Sequence, residues 1–112
     1  NRENYLNLLK HADCLVGNSS SGIIESSTFK TPTINIGRRQ YKRLRPKNVL
    51  DIEEFNVRKI ISLIKKSQTK SFRLKIKNIR NPYGDGNSSS KIINILSNTK
   101  IDDKLLIKNL TY

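Results

Sequence analysis

An α/β fold built on a doubly wound parallel sheet is predicted by three observations. The apolar run Cys14–Val16 is closed by Gly17, and the run Thr33–Ile36 is closed by Gly37. Between them lies a polar, serine-rich junction followed by a short helical pattern. Strand, small polar loop, helix and strand then occupy about 23 residues, a crossover that forces the strands parallel and lays the helix on one face.

Each element follows from its local pattern. Tyr5, Leu8, Leu9 and Ala12 recur at i, i+3, i+4 and i+7, the stripe of an amphipathic helix ending near Ala12. Cys14–Val16 is continuous in apolar character, as in a strand buried on both faces. From Ser21 to Phe29, Ile23, Ile24 and Phe29 predict one short helix, which Pro32 prevents from continuing. Asn48–Leu50 reads as a third short strand. Asp51 and Glu54 match a capping box with Leu50 and Phe55 as its hydrophobic staple, introducing a helix through Val57, Ile60, Ile61 and Ile64. Ser67–Arg80 reads as a basic surface connection with an irregular extended piece. NPYGDG, Asn81–Gly86, is dense turn chemistry, and a last helix carrying Ile92, Ile93 and Leu96 starts near Ser88. The tail beyond residue 98 has no clear period.

Composition narrows the function. Lys and Arg number 22 against 9 Asp and Glu, a formal charge of +13. The lysines are spread over the chain with abundant Asn and Ile, and only Arg38, Arg39, Lys42, Arg43 and Arg45 cluster. Without aromatic interleaving, a zinc pattern or a glycine-rich RNA-binding signature, the charge does not read as a nucleic-acid interface. Cys14 is a lone cysteine in an apolar run, a small buried hydrophobe suited to a reducing cytoplasm. No apolar run approaches the ~20 residues of a membrane span, and no secretory signal is present, so the sequons at Asn18, Asn87 and Asn109 read as compositional noise. The chain starts with Asn and contains no Met, and it is read as a fragment.

The stretch GNSSSGIIE, Gly17–Glu25, holds the candidate site. In an open parallel sheet, ligands bind beyond the carboxyl ends of the strands, where this loop lies. Ser19, Ser20 and Ser21 either cap the following helix or, with its N–H groups, cradle an anion such as a phosphate. Glu25 lies four residues after Ser21, on the same helix face. It is either a solvated glutamate near a helix start or an acceptor for a vicinal diol. Arg39 follows the second strand at the same edge, within reach of phosphate or ribose oxygens. Arg38, Lys42, Arg43 and Arg45 read as a solvated basic rim. Tyr5, at the start of the first helix, either stacks on a base or packs in the core.

YLNLLKHADCLVGNSSSGIIE, TPTINIGRRQYKRLR and NPYGDGNSSSKIINIL, taken in that order and spacing, resemble three successive motifs of the hydrolysing UDP-N-acetylglucosamine 2-epimerases, from Tyr5 to about Leu96. GNSSSG is similar to the hydrolysing branch, whereas the non-hydrolysing epimerases carry a DSGG form of the loop. The resemblance implies a two-domain fold of the glycosyltransferase-B type. Residues 1–98 then form part of the C-terminal, Rossmann-like nucleotide-binding half, and residues 99–112 a tail outside the match. It also implies that Ser19, Ser20 and Ser21 meet the diphosphate of a UDP-sugar, Glu25 the ribose hydroxyls, Arg39 the nucleotide, and Tyr5 the uracil, where the family often has phenylalanine. The implied enzyme is cytoplasmic and homo-oligomeric, uses no metal or redox cofactor and makes free N-acetylmannosamine for sialic acid or related sugars. Its acid and base residues lie mostly in the N-terminal domain and its side of the cleft, so this chain by itself is expected to be inactive, and His11 receives no chemical role. Related readings are a GDP-sugar or modified acetamido-sugar 2-epimerase, a non-hydrolysing epimerase, and a glycosyltransferase of the same architecture.

Overall fold

Asn1 opens the first helix, because its side-chain oxygen accepts the Asn4 N–H at 2.9 Å. In the computed structural model, which describes residues 1–107, α1 then runs Arg2–His11 and stops at Ala12, whose backbone is extended. The apolar stripe is only half used. Leu9 is buried where α1 meets the third helix, while Leu8 and Tyr5 are exposed.

Three parallel strands follow, β1 (Leu15–Gly17), β2 (Thr33–Ile36) and β3 (Val49–Ile52), in the order β1-β2-β3. Leu15 pairs with Thr33, which pairs with Val49, and Ile34 pairs with Leu50. The predicted crossover between β1 and β2 is present, with two corrections. Val16 is 43% exposed, because β1 is an edge of the sheet among the described residues and not a strand covered on both faces. The single helix predicted over Ser21–Phe29 is two one-turn helices, α2 (Ser21–Ile24) and α3 (Ser26–Phe29), separated at Glu25.

Helix α2 lies close on the sheet because Gly22 has no side chain. A Cβ there would stand 2.9 Å from the Thr33 Cγ2 and 3.3 Å from the Leu15 Cδ2. The layer below the helices is unusually polar. Ser26 Oγ donates to Gly22 O at 2.7 Å, and Asn48 Nδ2 donates to Ser26 Oγ at 2.7 Å and to Thr31 O at 2.6 Å. Thr31 Oγ1 in turn donates to Leu9 O at 2.7 Å, which fastens α1 to the entrance of β2. All of these side chains are buried, so the bonds replace water that the backbone carbonyls have lost.

The third strand is shifted from Asn48–Leu50, since Asn48 turns inward to the polar network just before β3 begins. The Asp51/Glu54 capping box does not form. Asp51 stays within β3 opposite Asn35, Phe55 is exposed, and α4 (Val57–Ser67) begins with Asn56 as its cap, accepting the Lys59 N–H at 3.0 Å. The segment expected to be irregular contains a further helix, α5 (Lys70–Ile76), capped by Thr69 and anchored by buried Phe72 and Ile76 one turn apart. Helix α6 (Ser88–Asn98) starts where predicted and has no buried residue. A one-turn α7 (Asp103–Leu106) follows, and residues 108–112 of the expected tail lie outside the described residues.

Among the described residues no helix is long and apolar enough to cross a membrane. Cys14 is half-buried, and its burial pushes the thiol pKa above the usual range.

Candidate functional site

The carboxyl end of β1 delivers the serine loop. Its shape is set from the backbone and from one buried amide: Gly22, Ile23 and Ile24 direct their N–H groups to Ser19 O and Ser20 O at 2.9 to 3.1 Å, and Gln40 Nε2 donates to Asn18 O at 2.8 Å. Ser20 stands at the N-cap position with helical backbone angles and makes no side-chain capping bond. The Ser19 hydroxyl touches the helix start only through a 3.3 Å contact from the Ser21 N–H. The helix therefore does not use the Ser20 hydroxyl as a cap, and that of Ser19 is only weakly engaged.

Helix α1 supplies the facing wall through two parallel rungs. Tyr5 Oη and Ser21 Oγ share a hydrogen bond of 2.6 Å, and Arg2 Nη2 donates to Glu25 Oε1 at 2.7 Å. Positions 2 and 5 of α1 thus meet Glu25 at the α2–α3 break and Ser21 at the start of α2, which places the predicted Tyr5, Ser21 and Glu25 in one constellation. Tyr5 is 37% exposed, so it belongs to this surface and not to the core. Its hydroxyl fixes Ser21, a contact that phenylalanine would lack. No local pattern in the sequence marks Arg2, because its partner lies 23 residues away.

After β2 the chain turns at Gly37, whose φ of 81° is readily adopted only by glycine. Arg38 then pairs with Glu53 at 3.0 Å, both side chains exposed. Arg39 is exposed and makes no ion pair among the described residues. Arg45 is not part of a solvated rim. Its Nε lies 2.9 Å from Asp51 Oδ2, and its Nη1 donates to Gln40 O at 2.7 Å and Arg43 O at 3.0 Å, so it closes the basic loop on itself. Asn35 Nδ2 holds the same Asp51 from β2 at 2.6 Å.

The NPYGDG turn reaches the constellation from the far end of the chain. Asn81 donates to Ile24 O and to Thr28 Oγ1, each at 2.7 Å, and Tyr83 Oη donates to Leu44 O at 3.0 Å. Asp85 accepts from Lys91 Nζ and from the Asn87 N–H at 3.0 Å, and these donors lower its carboxyl pKa to about 2. An open groove of about 1010 Å³ runs between the two regions, lined by Glu25, Thr28, Asn81, Tyr83, Asp85 and Lys91. Gln40, Arg2 and Asn81 are the site residues missed in the sequence. Gln40 and Asn81 lie within the second and third motifs, whereas Arg2 precedes the first and has no signal in the sequence. Among the described residues no group of three or more His, Cys, Asp or Glu side chains could hold a metal ion.

The structure brings Tyr5, Ser21 and Glu25 together beside the Ser19–Ser20 loop at the carboxyl end of β1, and Arg39 follows β2 at the same edge of the sheet without a contact to them. Several proteins are similar to this chain. A Campylobacter jejuni protein named GDP/UDP-N,N'-diacetylbacillosamine 2-epimerase (hydrolyzing) is 46% identical over 71 residues, 63% of this chain and 18% of that protein. A Legionella pneumophila protein named UDP-N,N'-diacetylbacillosamine 2-epimerase (hydrolyzing) is 34% identical over 107 residues, 96% of this chain and 27% of its own length. The polysialic acid biosynthesis protein P7 of Escherichia coli is 39% identical over 95 residues, 84% of this chain and 24% of that protein. The chain thus spans between 18 and 27% of these relatives. The family model described as UDP-N-acetylglucosamine 2-epimerase matches residues 1–97, nearly the whole described structure, and the chain belongs to that family.

Proposed function

We propose that this chain is the nucleotide-binding wall of a hydrolysing 2-epimerase that converts UDP-N-acetylglucosamine and water to N-acetylmannosamine and UDP. Residues 1–98 form part of its C-terminal domain and 99–112 a tail. The observation that carries this is the convergence of Tyr5, Ser21 and Glu25, from two helices, beside the Ser19–Ser20 loop at the carboxyl end of β1. Ser19, Ser20 and Ser21 receive the diphosphate, Glu25 accepts from the ribose hydroxyls, Tyr5 meets the base, and Arg39 swings onto phosphate or ribose oxygens. In the reaction a base removes the proton at sugar C2, the C1–O bond breaks with its electron pair leaving on UDP, and a C1=C2 double bond forms. Water then adds hydroxyl to C1 and a proton to the opposite face of C2. This chain holds UDP, and the groups moving those protons come from the rest of the enzyme, which is proposed to be cytoplasmic and homo-oligomeric. A second reading is favoured by the Campylobacter and Legionella relatives, whose names specify N,N'-diacetylbacillosamine. The same wall would then hold the nucleotide of a diacetylated sugar.

Calorimetry with UDP on the full-length enzyme tests the wall. Glu25→Gln is expected to weaken binding about tenfold or more, since a charged acceptor for hydroxyls contributes roughly 1.5–3 kcal/mol. Melting should barely shift, because the Arg2 partner is 80% exposed. Ser19→Ala and Ser20→Ala are expected to lower affinity at unchanged stability. A stability loss of about 1 kcal/mol without loss of affinity would instead make them caps and overturn the phosphate reading. The chain by itself is expected to bind UDP weakly and to release no amino sugar.

A further inference from the structure

Glu25 sits where the helix after the serine loop breaks, and the break leaves the carbonyls of Gly22 and Ile24 without their helical N–H partners; Gly22 O accepts from Ser26 Oγ at 2.7 Å instead. In a continuous helix the Thr28 N–H would return to Ile24 O. Here it bonds to Glu25 O at 3.0 Å, and Ile24 O is taken by Asn81 Nδ2 at 2.7 Å. The same amide nitrogen lies 2.7 Å from Thr28 Oγ1, so one side chain grips both flanks of the break from 57 and 53 residues away in sequence. Asn81 is itself oriented, because its Oδ1 accepts the Tyr83 N–H at 2.9 Å and Tyr83 is tied to Leu44 O. Without this donor Ile24 O would be free to take back the Thr28 N–H, which would shift the backbone that follows Glu25, while Ser26 Oγ still holds Gly22 O on the preceding flank.

We propose that Asn81 is a positioning residue for nucleotide binding: it holds the α2–α3 break and so aims the Glu25 carboxylate at the ribose hydroxyls. The proposal rests on the reading of Glu25 as the diol acceptor. Asn81 acts through Glu25 and needs no contact with the ligand.

The test measures, in the full-length enzyme, the ratio of affinities for UDP and 2′-deoxy-UDP by calorimetry. A charged acceptor on the 2′-hydroxyl predicts that the parent enzyme prefers UDP by about tenfold. Asn81→Asp keeps the oxygen that accepts from Tyr83 and the side-chain volume but removes both donated bonds. It is expected to bring the ratio close to one, as Glu25→Gln does, with affinity for 2′-deoxy-UDP little changed. Thr28→Val, which removes one of the two acceptors and is near in shape, is expected to reduce the ratio by about twofold to fivefold. It carries the test if the Asn81→Asp variant does not fold. If Glu25→Gln leaves the ratio intact, the ribose reading fails and the proposal with it. If Glu25→Gln abolishes the preference while Asn81→Asp, or Thr28→Val in its place, weakens both ligands equally, the Glu25 reading stands and Asn81 is a fold residue only.

Discussion

Arg38 and Arg39 are adjacent, equally charged and both exposed, yet their surroundings separate them. Arg38 is engaged by Glu53, whereas Arg39 has no ion-pair partner among the described residues. In the full-length enzyme Arg39→Ala is expected to weaken UDP binding by about 1–3 kcal/mol, and Arg38→Ala to change it little, because an exposed ion pair contributes at most about 1 kcal/mol. Equal losses for the two would show that the basic loop acts through its overall field. Residues whose place follows from helical spacing were legible in the sequence: Ser21 and Glu25 share a face by position alone. Arg45 was not legible, because its capture by Asp51 depends on the loop doubling back to β3. Gln40 and Asn81 escaped notice for the same reason. An amide in a polar stretch has no pattern, and its partners are backbone carbonyls 22 and 57 residues away.

At the scale of elements, α2 rests on β2 with no room for a side chain at Gly22. Gly22→Ala gains helix propensity of roughly 1 kcal/mol but drives a methyl against the buried, β-branched Thr33, and overpacking typically costs about 1–3 kcal/mol. Chemical denaturation is expected to show a net loss of about 1 kcal/mol, and a stabilised variant would mean that the helix can slide from the sheet. Strands β1 and β2 were readable as apolar runs stopped by glycine. The capping box at Asp51 was a local signal that lost to sheet register, since pairing with Asn35 holds Asp51 in β3. Helix α5 was hidden because only Phe72 and Ile76 face inward among basic neighbours, too few positions to show a period.

On the scale of the whole molecule, the chain is long for its size. Its radius of gyration is 18.5 Å, against about 13 Å for a compact domain of 100 residues, and its extents are 58 × 33 × 31 Å. Helix α6 contributes to this, with Ile92, Ile93, Ile95 and Leu96 all exposed. The interior is small and polar. Among the described residues the buried apolar side chains are Leu9, Ile23, Ile34, Ile52, Phe72 and Ile76 with Pro32 and Pro46, beside a network of Ser, Thr and Asn. That interior has a thermal consequence. Exposing apolar surface raises the heat capacity on unfolding and exposing polar surface lowers it, so this chain should unfold with well under the usual ~12–15 cal/mol/K per residue. Scanning calorimetry would then record a broad, shallow stability curve, in which cooling does little harm and the melting enthalpy changes little with the melting temperature. A heat-capacity step at the ordinary value would mean that the apolar face of α6 finds cover in solution.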